Sequence, residues 1–176
     1  SDNMEYQLPR WRELPDLDLY MDQVIALMGK YLEKFDFQGE KALTPSMINN
    51  YVKMEALPCP VKKKYSKIHL SHLLIICIMK QIMPINSVAK LIQTLLKYKK
   101  EEELLDFFAE AYEQVFCRVF EELKTRGRGF CKEADDESLS LSMLAVYAAA
   151  VSSSGKFLAE KAIGLLPEQK QEKSKD

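Results

Sequence analysis

Thr44-Pro45-Ser46-Met47-Ile48-Asn49-Asn50-Tyr51-Val52-Lys53 begins the most informative segment of this chain. Met54-Glu55-Ala56-Leu57 extend it, Pro58-Cys59-Pro60 break it, and Val61-Lys62-Lys63-Lys64-Tyr65 follow. An apolar run to Met83 and then Pro84-Ile85-Asn86-Ser87-Val88 close the unit. Thr44 suits a helix N-cap, and Pro45 suits the first helical position, where a missing N–H costs nothing. At about 100° per residue, Met47, Ile48, Tyr51, Val52 and Met54 share one side of a helix. Ser46, Asn49, Asn50 and Lys53 share the other. This second face holds no acid, and every member donates hydrogen bonds. An ordinary amphipathic surface helix has the same pattern, so the helix alone does not decide function.

The next residues shift the balance. Pro58 and Pro60 bar helix and impose extended backbone. Val61 and Tyr65 favour strand, with Lys62, Lys63 and Lys64 between them. A short hairpin with three ammonium groups is a wing suited to a phosphate backbone, although lysine runs are commonly just solvated surface. Ser66 is placed to cap the next helix, which is apolar nearly all round from His69 to Met83 and therefore belongs inside a domain. A polar-faced helix, a basic β-wing and a supporting helix are the layout of a winged helix-turn-helix. The expected class is all-α with a small β-wing, followed by a C-terminal helical region. The expected partner is double-stranded DNA. Helix 45–54 would enter the major groove, where Asn pairs with adenine and Lys reaches guanine or phosphate. The wing, 61–65, would lie on phosphates. The candidate DNA-binding residues are Ser46, Asn49, Asn50, Tyr51, Lys53, Lys62, Lys63 and Lys64.

Asn49-Asn50-Tyr51 through Ala56-Leu57-Pro58, the basic segment ending Tyr65-Ser66, and Pro84 to Val88 resemble the MerR winged-helix DNA-binding domain. The region from Thr44 to Lys53, with Lys63-Lys64-Tyr65, is more similar still to an uncharacterised family of small Gram-positive bacterial proteins, domain of unknown function 1836. The resemblance spans roughly Asp16 to Leu96 and implies MerR-like transcription factors. It also implies that Asn49 takes the place of a recognition-helix arginine and Tyr51 that of a tyrosine near the DNA backbone. Glu55 stands where MerR proteins usually have glycine, so this helix is expected to end differently. No long C-terminal coiled coil is evident.

The 176 residues carry a net charge of −1, unevenly spread. Residues 1–43 hold 5 basic and 9 acidic groups, residues 44–100 hold 10 lysines against Glu55, and residues 101–176 hold 10 basic and 16 acidic groups. A basic middle between acidic flanks suits a polyanion site. Cys59, Cys77, Cys117 and Cys131 show no metal-ligand spacing, although Cys117 and Cys131 could meet as a thiol pair. His69 and His72 share a helix face without an acid nearby in sequence. There is no nucleophile motif and no Rossmann or P-loop glycine pattern. No enzyme, cofactor or metal is therefore expected. Nothing resembles a signal peptide, and a cytoplasmic location is expected.

Residues 1–15 read as an irregular arm anchored by Trp11. Asp16 or Asp18 is expected to cap a helix reaching about Phe35, with Leu17, Tyr20, Val24, Leu27, Met28, Tyr31 and Phe35 along its stripe. A MerR-like domain is expected over 16–100, with Asn86 capping its last helix. The change from Lys97-Tyr98-Lys99-Lys100 to Glu101-Glu102-Glu103 marks its boundary. Over 101–166, Phe107, Phe108, Tyr112, Phe116 and Phe120 make a face too broad for one partner helix. That region is expected to form a homodimer or to line a pocket for an unknown small-molecule effector; the alternative is that its two helices complete the core of a single monomer. Arg126-Gly127-Arg128-Gly129 reads as a turn, and Asp135-Asp136-Glu137-Ser138 as the start of a last helix running to about Leu165. Six serines between 138 and 155 argue against a membrane span. Residues 167–176 read as a disordered tail. The alternative function is a helical protein–protein module with a winged-helix shape that does not bind DNA.

Overall fold

A computed structural model describes residues 7–35, 42–133 and 136–167. Residues 1–6, 36–41, 134–135 and 168–176 lie outside the described residues, and with them nearly all of the segment expected to be a disordered tail. The chain is mostly helical: α1 is Met21–Leu32, α2 Pro45–Lys53, α3 Lys67–Met79, α4 Ile85–Leu95, α5 Glu101–Glu133 and α6 Glu137–Gly164. Short 3₁₀ turns cover Trp11–Glu13 and Glu33–Phe35. Among the described residues, β pairing is confined to two isolated antiparallel bridges, Leu19 with Tyr65 and Val61 with Lys64.

The core is built around α3. Its residues from His69 to Cys77 are all buried, and Leu70, Leu73, Leu74 and Ile76 are fully enclosed. Each such side chain contributes about 1.5–3 kcal/mol of burial. Val24 and Met28 reach this core from α1, Ile48 and Tyr51 from α2, Val88 and Ile92 from α4, and Leu104 and Leu105 from α5. Ile163 joins them from the end of α6. The core therefore crosses the position between Lys100 and Glu101 where the charge reverses.

Several expected boundaries move. Helix α1 begins at Met21 with Tyr20 at its N-cap, rather than at Asp16 or Asp18. The cause is the bridge beside it. Leu19 N–H donates to Tyr65 O at 2.9 Å and Tyr65 N–H to Leu19 O at 2.8 Å, which holds the approach to α1 extended. Leu17 and Tyr20, expected on the packed stripe, are consequently exposed. Helix α4 starts after Pro84, so Asn86 lies inside its first turn instead of capping it. The Arg126–Gly129 segment is not a turn: α5 runs through it. Gly127 lies close enough to Leu144 that an added Cβ would sit 3.7 Å from that side chain, so α6 supports the helix there. Helix α6 matches expectation, with the Asp136 carboxylate accepting from Ser138 N–H at 2.8 Å.

The described part of the N-terminal arm, residues 7–15, is anchored, and by more than Trp11. The Arg10 guanidinium donates both Nη atoms to Glu113 on α5, at 2.8 and 2.6 Å, and Leu8 N–H donates to the same carboxylate at 2.9 Å. Trp11 N–H donates to Asp106 at 2.7 Å, and Lys67 lies over the indole ring. The Arg10 guanidinium foremost, and Leu8 N–H with it, hold the Glu113 carboxyl below its ordinary range.

Candidate nucleic-acid interface

Helix α2 forms as its sequence implies. The Thr44 hydroxyl accepts from Met47 N–H at 3.2 Å, and Pro45 occupies the first turn. Ile48 and Tyr51 are buried, while Ser46, Asn49, Asn50 and Lys53 are all exposed on the opposite face. Asn50 Nδ2 donates to Met54 Sδ, at 3.3 Å, a weak acceptor. Tyr51 differs from its assigned role. It is 5 % exposed, with Lys80 6.0 Å from its ring centre, and burial pushes its phenol up to about 12. Tyr51 is therefore a packing residue and leaves the surface set.

The end of α2 corrects a second expectation. Glu55 itself takes the left-handed conformation, with φ of 57°. Glu55 N–H donates to Val52 O, and Ala56 and Leu57 N–H both donate to Tyr51 O. The helix thus ends as a glycine-capped helix does, with glutamate in the glycine position. Gln93 Nε2 on α4 donates to Glu55 O at 3.0 Å and helps fix this cap.

The lysine segment is a tight turn. Val61 N–H donates to Lys64 O at 3.1 Å, and Lys64 N–H to Val61 O at 2.9 Å. Its two central residues, Lys62 and Lys63, have φ of 50° and 63°. Two successive positive φ values are the requirement of a type I′ hairpin turn, which favours Asn-Gly and disfavours long side chains. Lys62 and Lys63 are exposed at the tip. Lys64 is half-buried instead, with Nζ 5.2 Å from the centre of the Tyr20 ring.

The helix and the turn share one cleft of about 770 Å³, lined by residues that include Tyr20, Ile25, Pro45, Asn49, Pro60 and Lys63. Asn49 and Lys63 are thus brought together, and the cleft between them is largely apolar. Asp22 on α1 also lines it and places one acid beside the basic turn. Ser46, Asn50, Lys53 and Lys62 are exposed but do not line the cleft.

Sequence reasoning missed how the turn is supported. Ser66 N–H donates to His69 Nδ1 at 2.9 Å, a reciprocal cap with histidine in the place usually taken by Glu or Gln. Nδ1 is then the acceptor, so Nε2 carries the proton towards Cys59 O, 3.4 Å away. Burial lowers the His69 pKa and keeps the ring neutral. The signal was legible as Ser66-x-x-His69. Tyr65 stacks edge-on against the same ring at 5.4 Å. His72 does gain a carboxylate, from Glu101 at 2.8 Å, which ties α3 to the start of α5. Among the described residues no group of three or more His, Cys, Asp or Glu is placed to hold a metal ion. The side chain of Cys131 lies outside the described residues, and so does any meeting with Cys117.

Among curated proteins and solved structures, none matches this chain. A family model described as "Domain of unknown function (DUF1836)" matches residues 9–115, more than half of the 176 residues and nearly all of the core just described. The match begins at the anchored arm and ends two residues beyond Glu113, which holds it. The chain belongs to the family of domain of unknown function 1836.

Proposed function

We propose that this protein is a DNA-binding transcription regulator. Helix α2 reads the major groove with Ser46, Asn49, Asn50 and Lys53, and the 61–65 turn serves as a MerR-like wing whose Lys62 and Lys63 contact phosphates. The observation that carries this reading is the turn. Two lysines occupy left-handed positions that cost non-glycine residues about 1–2 kcal/mol each. A turn selected for stability alone would carry Asn-Gly. Keeping two ammonium groups at that tip, beside an acid-free donor face, makes sense where a polyanion is the ligand. The cationic span from Thr44 to Lys100 supplies the attraction.

The reading is tested on α2. Replacing Asn49 or Asn50 with Ala should relax base preference by about 1–3 kcal/mol at the contacted position, with folding intact because both side chains are exposed. Full retention of sequence preference in both variants would remove α2 from the recognition role.

One observation favours the alternative, a protein-interaction module. The cleft between Asn49 and Lys63 is walled by Tyr20, Ile25 and the two prolines, surfaces that suit an apolar side chain of a peptide or a small effector. Competition between such a ligand and duplex DNA for the same face would distinguish a regulated DNA reader from a module that binds protein alone.

A further inference from the structure

The far end of the molecule carries a surface that the DNA reading does not use. Helix α6 is 28 residues long, about 42 Å, and bears no charge from Ser138 to Gly155. A helix so apolar belongs in a core, yet only Ser140 and Ile163 of it are buried. Its inner side rests on α5, where Tyr147 OH donates to Glu122 and Arg126 lies over the tyrosine ring. Its outer side is open: Leu139 is 53 % exposed, Val146 70 % and Phe157 59 %. With Ser142, Ala149 and Ser153 these residues recur at three- and four-residue spacing, so they form one continuous stripe.

We propose that this stripe is a homodimer interface in which two copies of α6 pack antiparallel about a twofold axis near Ala148. The stripe is large at both ends and small in the middle, which is the self-complementarity an isologous contact needs. Centred there, Leu139 of one copy meets Phe157 of the other, Ser142 meets Ser153, and Val146 meets Ala150. The charges agree. Asp136 at the start of α6 and Lys161 near its end lie on the same flank, so each lysine falls beside the partner copy's aspartate. Two helix faces of this length bury on the order of 1,000 Å² together, near the lower limit for a specific interface. The dimer is therefore one that forms at micromolar chain concentration.

Helix α6 is also long and apolar enough to cross a bilayer. The serines along it and the Lys156–Glu160 pair on it favour a second copy over lipid.

The test uses the full chain. Sedimentation between about 1 and 100 micromolar chain should show a species of twice 20.3 kDa that dissociates on dilution. Val146→Glu should leave a 20.3 kDa monomer with unchanged far-ultraviolet dichroism, since that side chain is exposed in the single copy. Under oxidation, in a background with Cys59, Cys117 and Cys131 replaced by Ser, Ala149→Cys should give a covalent dimer that the background does not. Ser138→Cys should not, because antiparallel packing separates those positions by about 30 Å, beyond disulfide reach. A wild-type monomer across that range overturns the proposal. So does cross-linking through position 138 but not 149, or flotation of the protein with phosphatidylcholine vesicles that Val146→Glu abolishes.

Discussion

Replacing Lys62-Lys63 with Asn-Gly should stabilise this protein and at the same time cripple its proposed activity. Both lysines sit at positive φ, 50° and 63°, within a turn closed by hydrogen bonds of 3.1 and 2.9 Å. Asn tolerates the first position and Gly is unstrained at the second, so the double variant relieves about 1–2 kcal/mol in the folded state. Part of that gain is offset by glycine's greater freedom in the unfolded chain. A net gain of about 1 kcal/mol corresponds to a melting temperature about 2–4 °C higher for a chain of this size. Binding should move the other way. Losing two phosphate contacts should make the slope of log affinity against log salt shallower by about 1.8, uniformly across sequences. Thermal unfolding and salt-titrated anisotropy on the same preparation read both effects. A destabilised variant would refute the argument from backbone strain. A stabilised variant with an unchanged salt slope would leave the lysines as solvated surface and remove the wing from the binding face.

Two further outcomes follow from the same geometry. Glu55→Gly should raise stability by about 1 kcal/mol, because the α2 cap at φ of 57° favours glycine and the bond from Gln93 is to the retained backbone carbonyl; denaturant titration checks it. Glu113→Gln should weaken the clamp on Arg10 by about 1–3 kcal/mol and expose the 8–11 segment to protease. The Glu113 pKa is depressed, so its contribution is complete above the ordinary carboxylate pKa near 4.5 and is lost as pH falls through the lower folded value. Wild type should therefore lose this increment of stability below about pH 4.5, and Glu113→Gln should not.

Local chemistry was the legible part of this fold. Thr44 and Pro45 announced α2, its two faces divided as periodicity implied, and the apolar run after Ser66 became the core helix. What escaped was set by partners far away in sequence. Asp16 and Asp18 look like caps, but the Leu19–Tyr65 bridge holds their segment extended. Arg126-Gly127-Arg128-Gly129 looks like a turn, yet α5 continues because α6 packs along it. Glu55 was expected to end α2 in a new way and instead adopts the glycine conformation. At the candidate interface, the exposed set on α2 is readable from spacing, whereas for Tyr51 the family resemblance implies a place near DNA and its periodicity implies the buried side that the structure gives it. The supports from Tyr20, His69 and Glu101 depend on tertiary contacts that one-dimensional patterns do not carry.

Selection of bound duplexes from a random-sequence pool, followed by salt-titrated binding to the enriched site and its scrambled control, shows whether this protein reads DNA. A DNA-reading protein should enrich a site preferred over its control by at least about 10³, with log affinity falling linearly against log salt for both. No enrichment, together with binding that does not depend on salt, would contradict it.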